Sequence, residues 1–121
     1  MREQEFRPGS EPALIRSVLY LSPRAGGSDD IVGLYRREEI LETALRQEGC
    51  LSAELQVPRE PGAPILVTAL WRDAGAYEGW LGNPLREATR PMLAELVEGD
   101  FDAAVRGAVY DVVLAVEAEA S

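Results

Sequence analysis

At 121 residues and 46% apolar side chains, the chain is sized for one domain with a single core and is too apolar to remain disordered. Its net charge of −9 argues against nucleic acid or anionic membrane as a partner, because both attract clustered cations and no basic run exceeds Arg36-Arg37. It holds no histidine, which removes the usual neutral-pH acid/base, the triad base and the commonest transition-metal ligand together. No apolar stretch has the length of a membrane span, and the polar beginning lacks the apolar core of a signal peptide. The lone Cys50 cannot close an internal disulfide, which suits a cytoplasmic protein. Without histidine it has no obvious source of thiolate.

In chain order, residues 1–13 are polar and carry Pro8, Gly9 and Pro12, so they read as a flexible arm before a single domain over 14–118. Residues 14–21 alternate as a strand, with Ser17 interrupting the face that carries Ile15, Leu19 and Leu21. Ser28, Asp29 and Asp30 supply N-cap oxygens for a helix extending to about Glu48, with Ile31, Leu34, Leu41 and Leu45 as its inner stripe and Gly49 as its left-handed terminator. The alternation over 50–57 puts Leu51, Ala53, Leu55 and Val57 on one face and Cys50, Ser52, Glu54 and Gln56 on the other. Pro58, Pro61, Gly62 and Pro64 turn the chain into a second, β-branched and apolar strand over 65–71.

Asp73 caps a helix carrying Tyr77, Trp80 and Leu81, which Gly82-Asn83-Pro84 interrupts. A further helix over 85–98 turns Leu85, Thr89, Met92, Leu93 and Leu96 inward, with Pro91 expected to kink or split it. After a short turn around 101–106, residues 108–117 read as one long last strand, and 119–121 as a tail. The order β-α-β-β-α-β is that of a ferredoxin-like α+β domain, an antiparallel sheet with its helices on one face. The other face would expose Val18, Tyr20, Tyr110, Val112, Leu114 and Val116 or their opposite parity, so a homodimer packed sheet against sheet is expected.

The run Gln47-Glu48-Gly49-Cys50-Leu51, then Trp71-Arg72-Asp73, then Tyr77, Leu81 and Pro84 resembles the antibiotic biosynthesis monooxygenase family of dimeric α+β barrel proteins. That family typically shows E-P-G-C-L on its second strand, a Trp closing the third, an aromatic six residues on, and then H-L-x-S-P. The resemblance covers roughly 15–97. It implies a pocket for an aromatic small molecule between helices and sheet. Some members oxidise aromatic polyketides to quinones with molecular oxygen and no metal or flavin, so no cofactor is implied here. Trp71 matches the family Trp, Tyr77 a Tyr near substrate, and Arg90 falls near a retained helix Arg. The chain departs at Val67, where the anthrone-oxidising branch has Asn, at Trp80, where many members have His, and at Ser17, where the haem-degrading branch needs Asn. Haem degradation is therefore not expected. A polyketide cyclase and a non-catalytic binding protein remain as alternatives.

Within this frame the candidate catalytic residues are Trp71, Tyr77, Arg90 and Glu38, and the candidate substrate-binding residues are Ser17, Tyr35, Val67, Trp80, Arg86 and Thr89. Trp71 fits either a core plug or the wall of a slot shared with Tyr35, Tyr77 and Trp80, where a flat ring could stack. Arg86 and Arg90 fit either an oxyanion site or a solvated helix flank paired with Glu87 and Glu95. Glu38, between Leu34 and Leu41 on the inner stripe of one unbroken helix, would be a partly desolvated base. No metal site is expected, since Asp29-Asp30 and Glu38-Glu39 lack a convergent third ligand.

Overall fold

The computed structural model describes residues 2–5, 14–24, 27–99 and 106–118. In chain order these form β1 (Arg2–Glu5), β2 (Ile15–Leu21), α1 (Ser28–Arg37), α2 (Ile40–Arg46), β3 (Cys50–Gln56), β4 (Ile65–Trp71), α3 (Ala74–Leu81), α4 (Pro84–Ala94), β5 (Arg106–Asp111) and β6 (Leu114–Glu117). The main sheet is four-stranded and antiparallel in the order β3-β4-β2-β5, the α+β ferredoxin-like arrangement. A β1-β6 ribbon stands apart from it.

The side-chain period of two sorts each strand between a helix-covered and an open face. On β2 and β4 the covered face is built from the pairs Ile15↔Trp71, Ser17↔Ala69, Leu19↔Val67 and Leu21↔Ile65. The outer pairs are large and buried, and each anchors a core cluster. Leu21 and Ile65 pack with Ile31, Leu34, Tyr35, Leu93 and Val97. Ile15 and Trp71 pack with Ala69 and Ala76. Between them Ser17, Ala53, Ala69 and Gly107 are small, Ala53 pairing with Ala69 from β3 and Gly107 with Leu19 from β5, while Leu19 and Val67 pack towards the Leu21 cluster. Large residues at the two ends and small ones in the middle hold the helices off the sheet.

Several expected details differ. The helix expected from Ser28 to Glu48 breaks at Glu38-Glu39, where Glu39 takes a left-handed backbone (φ 49, ψ 47). The break resets the inner face, so α2 buries Thr43 and Ala44, and Leu45 is exposed. Gly27, not Ser28, is the N-cap of α1, and no side chain caps it. In β3 the register slips between Cys50 and Ser52, a bulge. Cys50 thereby joins Ala53 against the core, while Leu51 turns outward and is exposed. Leu85 and Met92, expected inward on α4, are also exposed.

Pro91 lies within α4 without ending it. The expected long last strand is two, β5 in the main sheet and β6 against β1, which itself falls in the segment expected to be a loose arm. The expected turn over 101–106 lies outside the described residues apart from Arg106, which opens β5.

Candidate functional site

The gap above the small central side chains is a cavity of about 320 Å³ between sheet and helices. Ser17, Leu19, Ala53, Val67, Ala69, Trp71 and Gly107 contribute the sheet side of its lining, Tyr35 comes from α1 and Ile40, Leu41 and Ala44 from α2. Helix α3 adds Tyr77, Trp80 and Leu81. Helix α4 adds Arg86, Thr89, Arg90 and Leu93, spaced i, i+3, i+4, i+7, which is one helical face turned to the sheet.

The aromatic end is organised around Trp71, which is fully buried. Its indole N–H donates to Ser17 Oγ at 2.9 Å. Tyr77 meets it edge-on, with ring centroids 5.7 Å apart, and Trp80 stacks at 6.4 Å with planes 28° apart. Helix α3 can offer both rings because Asp73 accepts from Ala76 N at 2.9 Å and so starts the helix directly after β4. The two roles open to Trp71, core residue and cavity wall, are thus realised together.

The α4 side of the cavity carries polar groups. Arg86 Nη1 donates to Glu87 Oε1 at 3.1 Å, and Thr89 Oγ1 donates to the Arg86 carbonyl at 2.9 Å. Burial pushes the Tyr35 hydroxyl up to about 12, an effect the nearby Arg86 charge partly offsets. The phenol is therefore a hydrogen-bond donor across the working pH range.

Of the residues singled out from sequence, Ser17, Tyr35, Val67, Trp71, Tyr77, Trp80, Arg86, Thr89 and Arg90 all line the cavity. Glu38 does not. It ends α1 beside the helix break, lies 3.6 Å from Arg37, and lines a separate hollow of about 120 Å³. Its expected inward position required one continuous helix. Among the described residues, no aspartate or glutamate lines the main cavity.

Cys50 is outside it as well, and burial raises its thiol pKa, with the Ser52 carbonyl contact a smaller opposing influence. No group of three or more Cys, Asp or Glu side chains converges as a metal site would need among the described residues. Gly107 was not anticipated. The available signal was a glycine beside a strand, which often marks close approach to something else.

A four-stranded antiparallel sheet with helices on one face and an aromatic, arginine-bearing cavity between them defines a ferredoxin-like α+β protein. The family model for antibiotic biosynthesis monooxygenases matches residues 14–91, and the chain belongs to that family. Among solved structures, SnoaB, a cofactor-independent oxygenase from Streptomyces nogalater, is similar with TM-score 0.64 and 16% identity over 81% of this chain and 91% of that one. A protein from Shewanella oneidensis gives TM-score 0.71 at 18% identity over 93% and 99% of the two chains. One from Mycobacterium tuberculosis gives 0.66 at 19% over 90% and 100%. These likenesses establish the fold. No curated protein matches the sequence.

Proposed function

We propose that this chain is a cofactor-independent monooxygenase acting on a polycyclic aromatic, anthrone-like polyketide in natural-product biosynthesis. The observation that carries the reading is the cavity: Trp71, Tyr77 and Trp80 in mutual ring contact share one hollow between sheet and helices with Arg86 and Arg90. A flat ring system stacks in such a slot. The guanidinium of Arg90 stabilises the anion left when the ring methylene across the central ring from the ketone loses a proton and its charge delocalises onto the ketone oxygen, and in a partly desolvated site that stabilisation is strong. The electron-rich anion reduces O2. One oxygen atom becomes the new ring carbonyl, and the other leaves as water with the two methylene hydrogens. With no cavity carboxylate among the described residues, the first proton goes to water at the mouth rather than to Glu38. The description of SnoaB as a cofactor-independent oxygenase supports the reading by analogy of fold.

In the same reading the enzyme is a cytoplasmic homodimer. Val18, Tyr20, Leu66, Leu70 and Tyr110 share the sheet face that no helix covers, and a second copy is the natural lid.

Oxygen uptake with an anthrone tests the reaction. Turnover is expected to fall about 100-fold in Arg90→Gln, the scale of removing one oxyanion stabiliser, and to fall in Trp71→Phe as well. Uptake unchanged in both variants would overturn the reading. Ring closure of a polyketide chain under anaerobic conditions would identify a cyclase instead, and tight aromatic binding without turnover a binding protein.

A further inference from the structure

The chain carries 21 acidic and 12 basic residues, yet the charged side chains lining the cavity, among the described residues, are two arginines and no carboxylate. Chance sampling of an acidic chain runs against that. One arginine suffices for the transient anion of the reaction proposed above, which leaves the second to be explained. Arg86 lies where the main cavity and the smaller outer hollow share a wall with Ile40, Trp80 and Thr89. Its side chain is 25% exposed, so it is neither a solvated flank nor a core residue.

Tyr35 belongs to the same corner: it lines the cavity, is 6% exposed, and feels the Arg86 charge. No hydrogen bond to its hydroxyl is present among the described residues. The hydroxyl is not sealed in the core, since the fully buried side-chain polar atom without a partner among the described residues is Gln56 Oε1, so the Tyr35 O–H is open to the cavity and available to a ligand there.

We propose that Arg86 and Tyr35 form a subsite for a carboxylate carried by the aromatic ligand, at the wall the cavity shares with the outer hollow. The inference rests on the aromatic-ligand reading above and adds the charge of the ligand to it. A guanidinium presents a planar fork that matches the two oxygens of a carboxylate, and the phenol O–H supplies a further donor. A phenolate has one oxygen and leaves half the fork unused. Two carboxylates stand near the subsite without occupying it. Arg86 Nη1 donates to Glu87 at 3.1 Å and to the Leu81 carbonyl at 3.5 Å, so a ligand would take the other nitrogens of the fork, and Glu87, with a 56% exposed side chain, is a weak competitor. Glu38 lies in the outer hollow, beside Arg37.

The test is equilibrium binding without turnover, under nitrogen, of anthracene-2-carboxylate against the neutral, nearly isosteric anthracene-2-carboxamide. The carboxylate is expected to bind about tenfold more tightly, the factor one charge-assisted hydrogen bond supplies. Arg86→Gln should erase the preference, Tyr35→Phe should reduce it several-fold, and Arg86→Lys should retain part of it. Circular dichroism confirms that each variant is folded. Equal affinities in the unaltered protein, or a preference that survives Arg86→Gln, would overturn the subsite even if oxygen uptake continues. Loss of oxygen uptake with the preference intact would overturn the oxygenase reading alone. Binding of neither compound would refute the subsite together with the aromatic-ligand reading.

Discussion

At the scale of single residues, the hydrogen bond from Trp71 to Ser17 ties a core cluster to the cavity. Indole nitrogen is a donor only, and here its one proton is committed to a serine on the neighbouring strand, one same-face pair along the sheet. Ser17→Ala leaves that buried donor without a partner, so it is expected to cost about 1–3 kcal/mol in chemical denaturation.

Tyr35 makes a prediction in pH. Its ionisation is suppressed in the folded state by burial, up to about 12 from 10.0, so the unfolded chain releases its proton first. Stability is unaffected below pH 10 and falls as pH rises from there towards 12, by about 1.4 kcal/mol per unit while only the unfolded state is ionised. Tyr35→Phe should flatten this part of the profile. Most of these residues were legible in the sequence, because aromatics and a small polar residue on an otherwise apolar face are unusual enough to ask for a reason. Glu38 was not, because its direction depends on a backbone torsion at Glu39 that no neighbouring residue type announces.

At the scale of elements, the loop into β3 shows what the sequence states clearly. Gln47 O accepts from Cys50 N at 3.1 Å, and Gly49 sits at φ 88 between them, the third position of a type II turn. A Cβ at Gly49 would also run into Ala76 Cβ, so backbone strain and a clash with α3 coincide. Gly49→Ala is expected to lower stability by more than about 1 kcal/mol, read as a lower urea midpoint with an unchanged slope. The cap at Asp73 was equally readable, since it depends on local chemistry alone, whereas Asn83, read as part of an interruption, proves to cap α4. The bulge at Leu51 and the exposure of Leu45, Leu85 and Met92 were not. Each arises from one extra or missing residue of phase, and periodicity cannot see a change of phase until something fixes it.

At the scale of the whole molecule, the ferredoxin-like order followed from the sequence because a central hairpin of two consecutive strands is flanked on each side by one helical segment and one strand, and few sheets satisfy that order. The division of the last strand did not, because Val112-Val113 continues the same strand-forming pattern across the point where β5 ends. The uncovered sheet face leads to the prediction about assembly. Leu70→Asp places a charge on that face, and light scattering should then report one chain where the unaltered protein reports two. A single chain in the unaltered protein would refute the homodimer.

The β1-β6 ribbon has a kinetic meaning as well. Its four residue pairs, from Arg2↔Glu117 to Glu5↔Leu114, join the two extremes of the chain. Closing so long a loop costs the most chain entropy of any pairing in the protein and returns only a short ladder. The ribbon should therefore zip up last during refolding and come apart first, and the amides of Leu114–Glu117 should exchange with deuterium well before those at the centre of β2 and β4.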